Sequence, residues 1–239
     1  MTSHLSACIE NNSLMTALDL LAIYKIKTEN TSRKLDRFFG ESVPIDICVN
    51  EINNEGLKAI LGSKIPLCYF LFYLLEEYNF ENLLFFLQAD KFEIKKDRQT
   101  ALDIYNTFIM NNAKFEINLD DHVKRTITHH IQLDNIDTSL FTEAKLCVYV
   151  LLESCFIRFL HSSVYRDMLK QCGLAMYYED SAKQTALDYL KGYLQHQQNM
   201  VIAYSESDSP LSDSLVTNSK RHYEAIQCAI DQFIQDVFV

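Results

Sequence analysis

Glycine and proline are scarce in this chain, with five Gly and three Pro in 239 residues. An all-β architecture needs turn residues at each reversal, so that class is excluded and helices joined by short polar loops are expected. Tryptophan is absent, which leaves 15 Phe and 13 Tyr to supply every aromatic position. Positive charge is in deficit: 22 Lys and Arg against 32 Asp and Glu give a formal net charge of −10. A nucleic-acid partner needs a basic stripe, and none is visible. Attraction to anionic lipid by charge alone is disfavoured for the same reason. The seven cysteines, at 8, 48, 68, 147, 155, 172 and 228, are odd in number and never form a Cys-x-x-Cys pair. That spacing argues against a disulfide framework and a zinc site, and for reduced thiols. The longest apolar run, Ile65 to Leu75, is about half of a bilayer span. The N-terminus has no basic stretch followed by an apolar one. A cytoplasmic chain able to bury one core is the expectation.

What is present is helical periodicity. Ser13 can cap a helix with Leu14, Leu18, Leu21 and Tyr24 on one face, and a shorter one over Arg33 to Phe39 stops at Gly40. Further helices are predicted over Gly56–Leu61, Pro66–Glu77, Glu81–Phe92, Gln99–Met110, Asp120–Ile131 and about Thr138–Glu153. The last of these is expected to bury Leu140 or Phe141, Ala144, Cys147 or Val148, and Leu151. Short segments at Ile157–Leu160 and Val164–Lys170 follow, then a helix over about Ser181–Tyr204, a polar tract over Ser205–Ser219, and a helix over Lys220–Phe238. The Ser- and Asp-rich tract reads as a surface linker or a phosphorylated loop. The last helix carries Tyr223, Ile226, Ile230, Phe233 and Val237 on one stripe, suited to packing on its own domain.

Three polar clusters border these apolar runs: Glu77-Tyr78-Asn79-Phe80-Glu81-Asn82, Glu116-Ile117-Asn118-Leu119-Asp120, and Ser154-Cys155-Phe156-Ile157-Arg158-Phe159-Leu160. Read alone, each has a plain structural role. Asn79 or Asn82 can cap a helix, Glu81 suits a helix N-terminus, and Asn118 or Asp120 can cap the next helix. In order, spacing and helical context, however, the three together resemble the contact loops of the regulator of G-protein signalling (RGS) domain. The likeness covers about residues 54–172, with 1–53 and 173–239 as helical extensions and a polar loop at about 205–219.

The resemblance implies an all-α bundle of about nine short helices with extra terminal helices. It implies a heterotrimeric G-protein alpha subunit, in its GTP-bound or transition-state form, as partner of a monomeric regulator. Peripheral association with the inner face of the plasma membrane would come through that partner. Glu77, Tyr78, Glu81, Asn82, Asn118, Leu119, Asp120, Ser154 and Arg158 are the contact positions it carries over. Such an alpha subunit holds its own catalytic arginine and water-orienting glutamine, so an activator need only steady the switch segments. No catalytic residue, metal or cofactor of its own is then required. Two departures stand out. Ser154 replaces an Asp that in many members accepts a backbone N–H and can pair with the arginine, so Arg158 loses that brace. Phe86 replaces a Trp. The alternative is an RGS-like scaffold without GTPase-activating activity. His129 and His130 are adjacent on a helix, so their rings diverge by about 100° and cannot easily share a metal.

Overall fold

The computed structural model describes residues 46–173, 178, 180–205 and 212–238. The helices predicted before residue 40 lie outside them, as does most of the first half of the polar tract. Among the described residues the architecture is all helical: α1 (Val49–Glu55), α2 (Leu57–Gly62), α3 (Ile65–Glu76), α4 (Phe80–Lys95), α5 (Arg98–Ile104), α6 (Asp121–Gln132), α7 (Thr142–Leu160), α8 (Ser163–Cys172), α9 (Asp180–Ser205) and α10 (Ser212–Phe238). A π-helical turn, Tyr105–Ile109, continues α5.

α3 is the central helix. Ten of its twelve residues are buried, so it is apolar on every side, as a helix enclosed by others must be. α4, α7, α8 and α9 pack around it. Phe159 of α7 meets Phe70 and Tyr73 of α3 at ring-centroid distances of 5.3 and 5.5 Å, and Tyr165 of α8 at 5.3 Å. Each fully buried ring or aliphatic side chain of this kind contributes about 1.5–3 kcal/mol. The N-terminus of α3 lacks a local side-chain cap. Asp46 supplies one from 18 residues away, accepting from the backbone N–H of Lys64 and Ile65 at 2.6 Å each. Burial pushes the Asp46 carboxyl up, against the lowering effect of those same N–H groups.

On the far side of α3, α9 buries Ala182, Ala186, Leu190 and Tyr193, a stripe at helical spacing. α10 packs on α9 and buries Ile226, Ile230 and Phe233, with Tyr223 and Val237 half-buried. Its Asp236 pairs with Lys91 of α4 at 2.5 Å. The predicted stripe therefore docks on the chain's own bundle.

Several boundaries differ from the periodicity. α1 breaks the proposed extension 1–53: Val49 and Ile52 are buried in the common core, and the compact unit begins at Asp46. α10 starts at Ser212, so the second half of the polar tract is the first turns of a helix. α7 runs unbroken to Leu160, because Cys155, Phe156 and Phe159 extend the buried face of Ala144, Val148 and Leu152. Leu151 is 41% exposed, one position off that face. Among the described residues no single helix is long and apolar enough to cross a membrane; α7 and α8 reach that length only as a pair bent by 74°.

Candidate interaction site

The three clusters meet at one end of the bundle. α3 ends in a helix stop in which Asn79 N–H donates to the Leu74 carbonyl at 2.9 Å and Tyr78 takes a left-handed φ of 55°. Glycine is the usual occupant of that position, and a side chain with a Cβ costs about 1–2 kcal/mol there. The strain holds the Tyr78 ring out in solvent, 76% exposed. Glu81 lies in the first turn of α4, where burial raises its carboxyl. Its Oε1 accepts from Asn82 Nδ2 at 3.0 Å. Asn79 occupies the cap position of α4 without a side-chain capping bond, and donates instead to the Glu77 carbonyl at 2.9 Å.

The second cluster is an extended segment docked on the π-helical turn. Phe115 N–H donates to the Thr107 carbonyl at 3.0 Å and Ile117 N–H to the Phe108 carbonyl at 2.9 Å. Those carbonyls sit at a helix end, where intrahelical donors have run out. Two-residue alternation then sorts the side chains: Phe115, Ile117 and Leu119 are buried, while Glu116, Asn118 and Asp120 are exposed. Glu116 clamps the loop, accepting from Lys124 Nζ at 2.6 Å and Asn112 N–H at 2.8 Å, and these bonds lower its carboxyl below the ordinary range. Asp120 caps α6 by accepting from His122 N–H at 2.9 Å. Asn118 makes no hydrogen bond among the described residues, so its amide has both donor and acceptor free. Phe80 and Phe115 join the first two clusters edge to face at 5.3 Å.

The third cluster is helix rather than loop. Ser154 is exposed and its hydroxyl donates back to the Val150 carbonyl at 3.2 Å. Arg158 reaches across to the first cluster, donating from Nη2 and Nε to Glu77 Oε2 at 3.1 and 3.3 Å. Its Nη1 also bonds the Ser154 carbonyl at 3.3 Å. The Glu77 hydrogen bond raises the guanidinium further. Arg158 is therefore a brace, but its acid comes from Glu77, just past the end of α3, and not from the position of Ser154.

Two contact positions face inward. Leu119 is 8% exposed and Asn82 is 6% exposed. Leu119 falls on the buried side of the alternation, a period-two signal readable in Phe115-x-Ile117-x-Leu119. The Asn82 Oδ1 is buried without a hydrogen-bond partner among the described residues, which costs about 1–3 kcal/mol.

Phe86 fills a core position beside Tyr149, with ring centroids 5.9 Å apart. Lys145 Nζ lies 5.2 Å from the Phe86 ring centroid and pairs with Asp90 and, at 2.8 Å, with Glu93. A lysine only 5% exposed needs such partners to stay charged. Sequence reading missed this triad, since its members lie 52 and 55 residues apart. The His129 and His130 ring centroids are 6.5 Å apart. No group of three or more metal-ligating side chains occurs among the described residues.

A helical bundle with two interhelical turns and a helix face gathered at one end defines the class: an all-α bundle domain. The family model for the regulator of G protein signaling domain matches residues 56–168. Regulator of G-protein signaling 18 from Homo sapiens is 32% identical over 121 residues, 48% of this chain and 51% of that protein. Regulator of G-protein signaling 13 from Mus musculus is 26% identical over 144 residues, 57% of this chain and 90% of that protein. In fold, the chain is similar to the rgRGS domain of PDZRhoGEF, solved in a complex with Galpha-13 bound to GTP-gamma-S, with a TM-score of 0.54 at 18% identity over 77% of this chain and 89% of that one. Residues 56–168, a little under half of this chain, thus match the regulator of G-protein signaling domain, in agreement with those relatives. It spans about half the length of the first of those relatives.

Proposed function

We propose that this protein regulates a heterotrimeric G-protein alpha subunit by hastening its GTP hydrolysis. The observation that carries the proposal is the second cluster, where alternation on a clamped segment presents Asn118 with an unspent amide, on a loop joined to the first cluster by the Phe80–Phe115 contact. The family-model match over residues 56–168 and the names of the relatives support the same reading. An alpha subunit supplies its own arginine and attacking water, so the regulator acts by holding mobile switch segments near their transition-state arrangement. A barrier lowered by about 1.4 kcal/mol is a tenfold gain in rate, and a few hydrogen bonds to those segments reach that scale.

Glu77, Tyr78, Glu81, Asn118, Asp120, Ser154 and Arg158 form the proposed contact face. Leu119 serves it from beneath, by fixing the register of its neighbours, and Asn82 by donating to Glu81 and orienting that carboxylate. The test is single-turnover GTP hydrolysis by a panel of alpha subunits, with and without the protein and its Asn118→Ala variant. Acceleration that is lost in the variant is expected. No acceleration with any alpha subunit overturns the proposal.

A further inference from the structure

α9 lies outside the residues that match the family model, yet it builds a groove against the end of α3 that carries the first contact cluster. The groove, of about 430 Å³, is lined by Phe72 and Glu76 of α3 and by Asp188, Tyr189, Gly192 and Tyr193 of α9. Thr185 and His196 complete its wall.

Three features give it a chemistry. Its walls are aromatic: Phe72 and Tyr189 pack edge to face at 4.9 Å, and Tyr193 stands one helical turn further on. Its polar groups include two carboxylates. The Glu76 carboxylate makes no hydrogen bond or ion pair among the described residues, while Asp188 accepts from Gln184 at 2.8 Å, pairs loosely with Lys191 at 3.9 Å and keeps acceptor capacity on its second oxygen. Its floor is open, because a Cβ added at Gly192 would meet nothing within 4 Å. Ring faces beside the unpaired Glu76 carboxylate form the setting that attracts an organic cation, with the guanidinium favoured over the ammonium for stacking. The Tyr193 phenol, raised to about 12 by burial and then by neighbouring Tyr78 and Glu76, remains neutral and presents its ring without added charge.

The position of the groove selects its occupant. Glu76, at the exposed end of α3, immediately precedes Glu77 and Tyr78, so the groove adjoins the contact face.

We infer that this groove takes an arginine side chain of the same alpha subunit, extending the contact face from α3 onto α9 and making α9 a determinant of which alpha subunit is bound. The inference rests on the proposed contact of the three clusters with an alpha subunit.

Gly192→Arg tests it, since an arginine grown from within the helix occupies the groove in place of the partner's, at a site with room for it. Gly192→Ala is the control, because it leaves the groove empty and favours helix. Binding to fluoride-activated alpha subunits is expected to weaken about tenfold in Gly192→Arg and severalfold in Glu76→Gln, with Gly192→Ala unchanged. Methylguanidinium added to the full chain is expected to shift the amide resonances of Gly192 and Tyr193, and to lose that effect in Gly192→Arg. If Asn118→Ala weakens binding while Gly192→Arg does not, the groove inference is overturned and the contact face stands, whether or not methylguanidinium binds. If the wild-type chain binds no alpha subunit, the contact face fails and this inference falls with it.

Discussion

Between Phe115 and Asp120 the backbone is held by buried side chains and main-chain hydrogen bonds, whereas Glu77 and Arg158 are held mainly by each other. The first arrangement fixes a loop and leaves a polar side chain unused. The second uses its polar groups to tie two helices together across solvent, with the side chains of Arg158 and Glu77 50% and 36% exposed. Exposed pairs of that kind contribute about 0.2–1 kcal/mol, far below the value of a buried isoleucine. The part of the face able to hold a partner's mobile segment rigidly is therefore the second cluster, and the first and third are adjustable ground around it.

The most severe way to break this contrast is Ile117→Ala. Ile117 is fully buried, and its truncation is expected to cost about 2–4 kcal/mol, read as a lower urea midpoint together with loss of partner affinity. Asn118→Ala separates the two roles: stability stays within about 0.5 kcal/mol, while the acceleration of GTP hydrolysis falls at least about tenfold, or ~1.4 kcal/mol.

Tyr78→Gly moves the two readouts in opposite directions. Relief of the left-handed strain is expected to stabilise the fold by about 0.5–1 kcal/mol in thermal unfolding, and partner affinity is expected to drop. A gain in both would remove Tyr78 from the contact face. The smallest effect concerns Glu116. Its folded-state carboxyl is lowered by Lys124 and Asn112, so its contribution is present above the unfolded value and lost as pH falls through the folded one. Comparing wild type with Glu116→Gln by urea unfolding at about pH 5.5 and about pH 3, the wild-type advantage is expected to shrink at the lower pH. For a carboxylate this exposed it stays within about 1 kcal/mol.

The helices were legible in the sequence where one face is apolar and the ends are punctuated. α2, α3, α6 and α9 fall within a residue or so of their predicted spans. Legibility failed where the reason is long-range. α1 has too few residues to show a period and is recognised only because Val49 and Ile52 enter a shared core. α7 continues past its expected end at Glu153, where polar residues interrupt the apolar pattern, because Phe156 and Phe159 are buried. At the site, the three clusters were readable from motif order. Their partners were not: Arg158 finds its acid 81 positions away, a distance that local pattern does not register. The period-two signal that turns Leu119 inward was present in the sequence and was overridden by the family likeness.

The all-round burial of α3 also bears on how this protein can be dissected. A fragment trimmed to the matched residues 56–168 would discard Asp46, which caps α3, and α9, whose Tyr189 covers Tyr69 and Phe72. It would uncover one flank of the most apolar helix in the molecule and invite self-association. The foldable unit is wider than the recognisable one, and an isolated domain should begin before Asp46 and extend through α10.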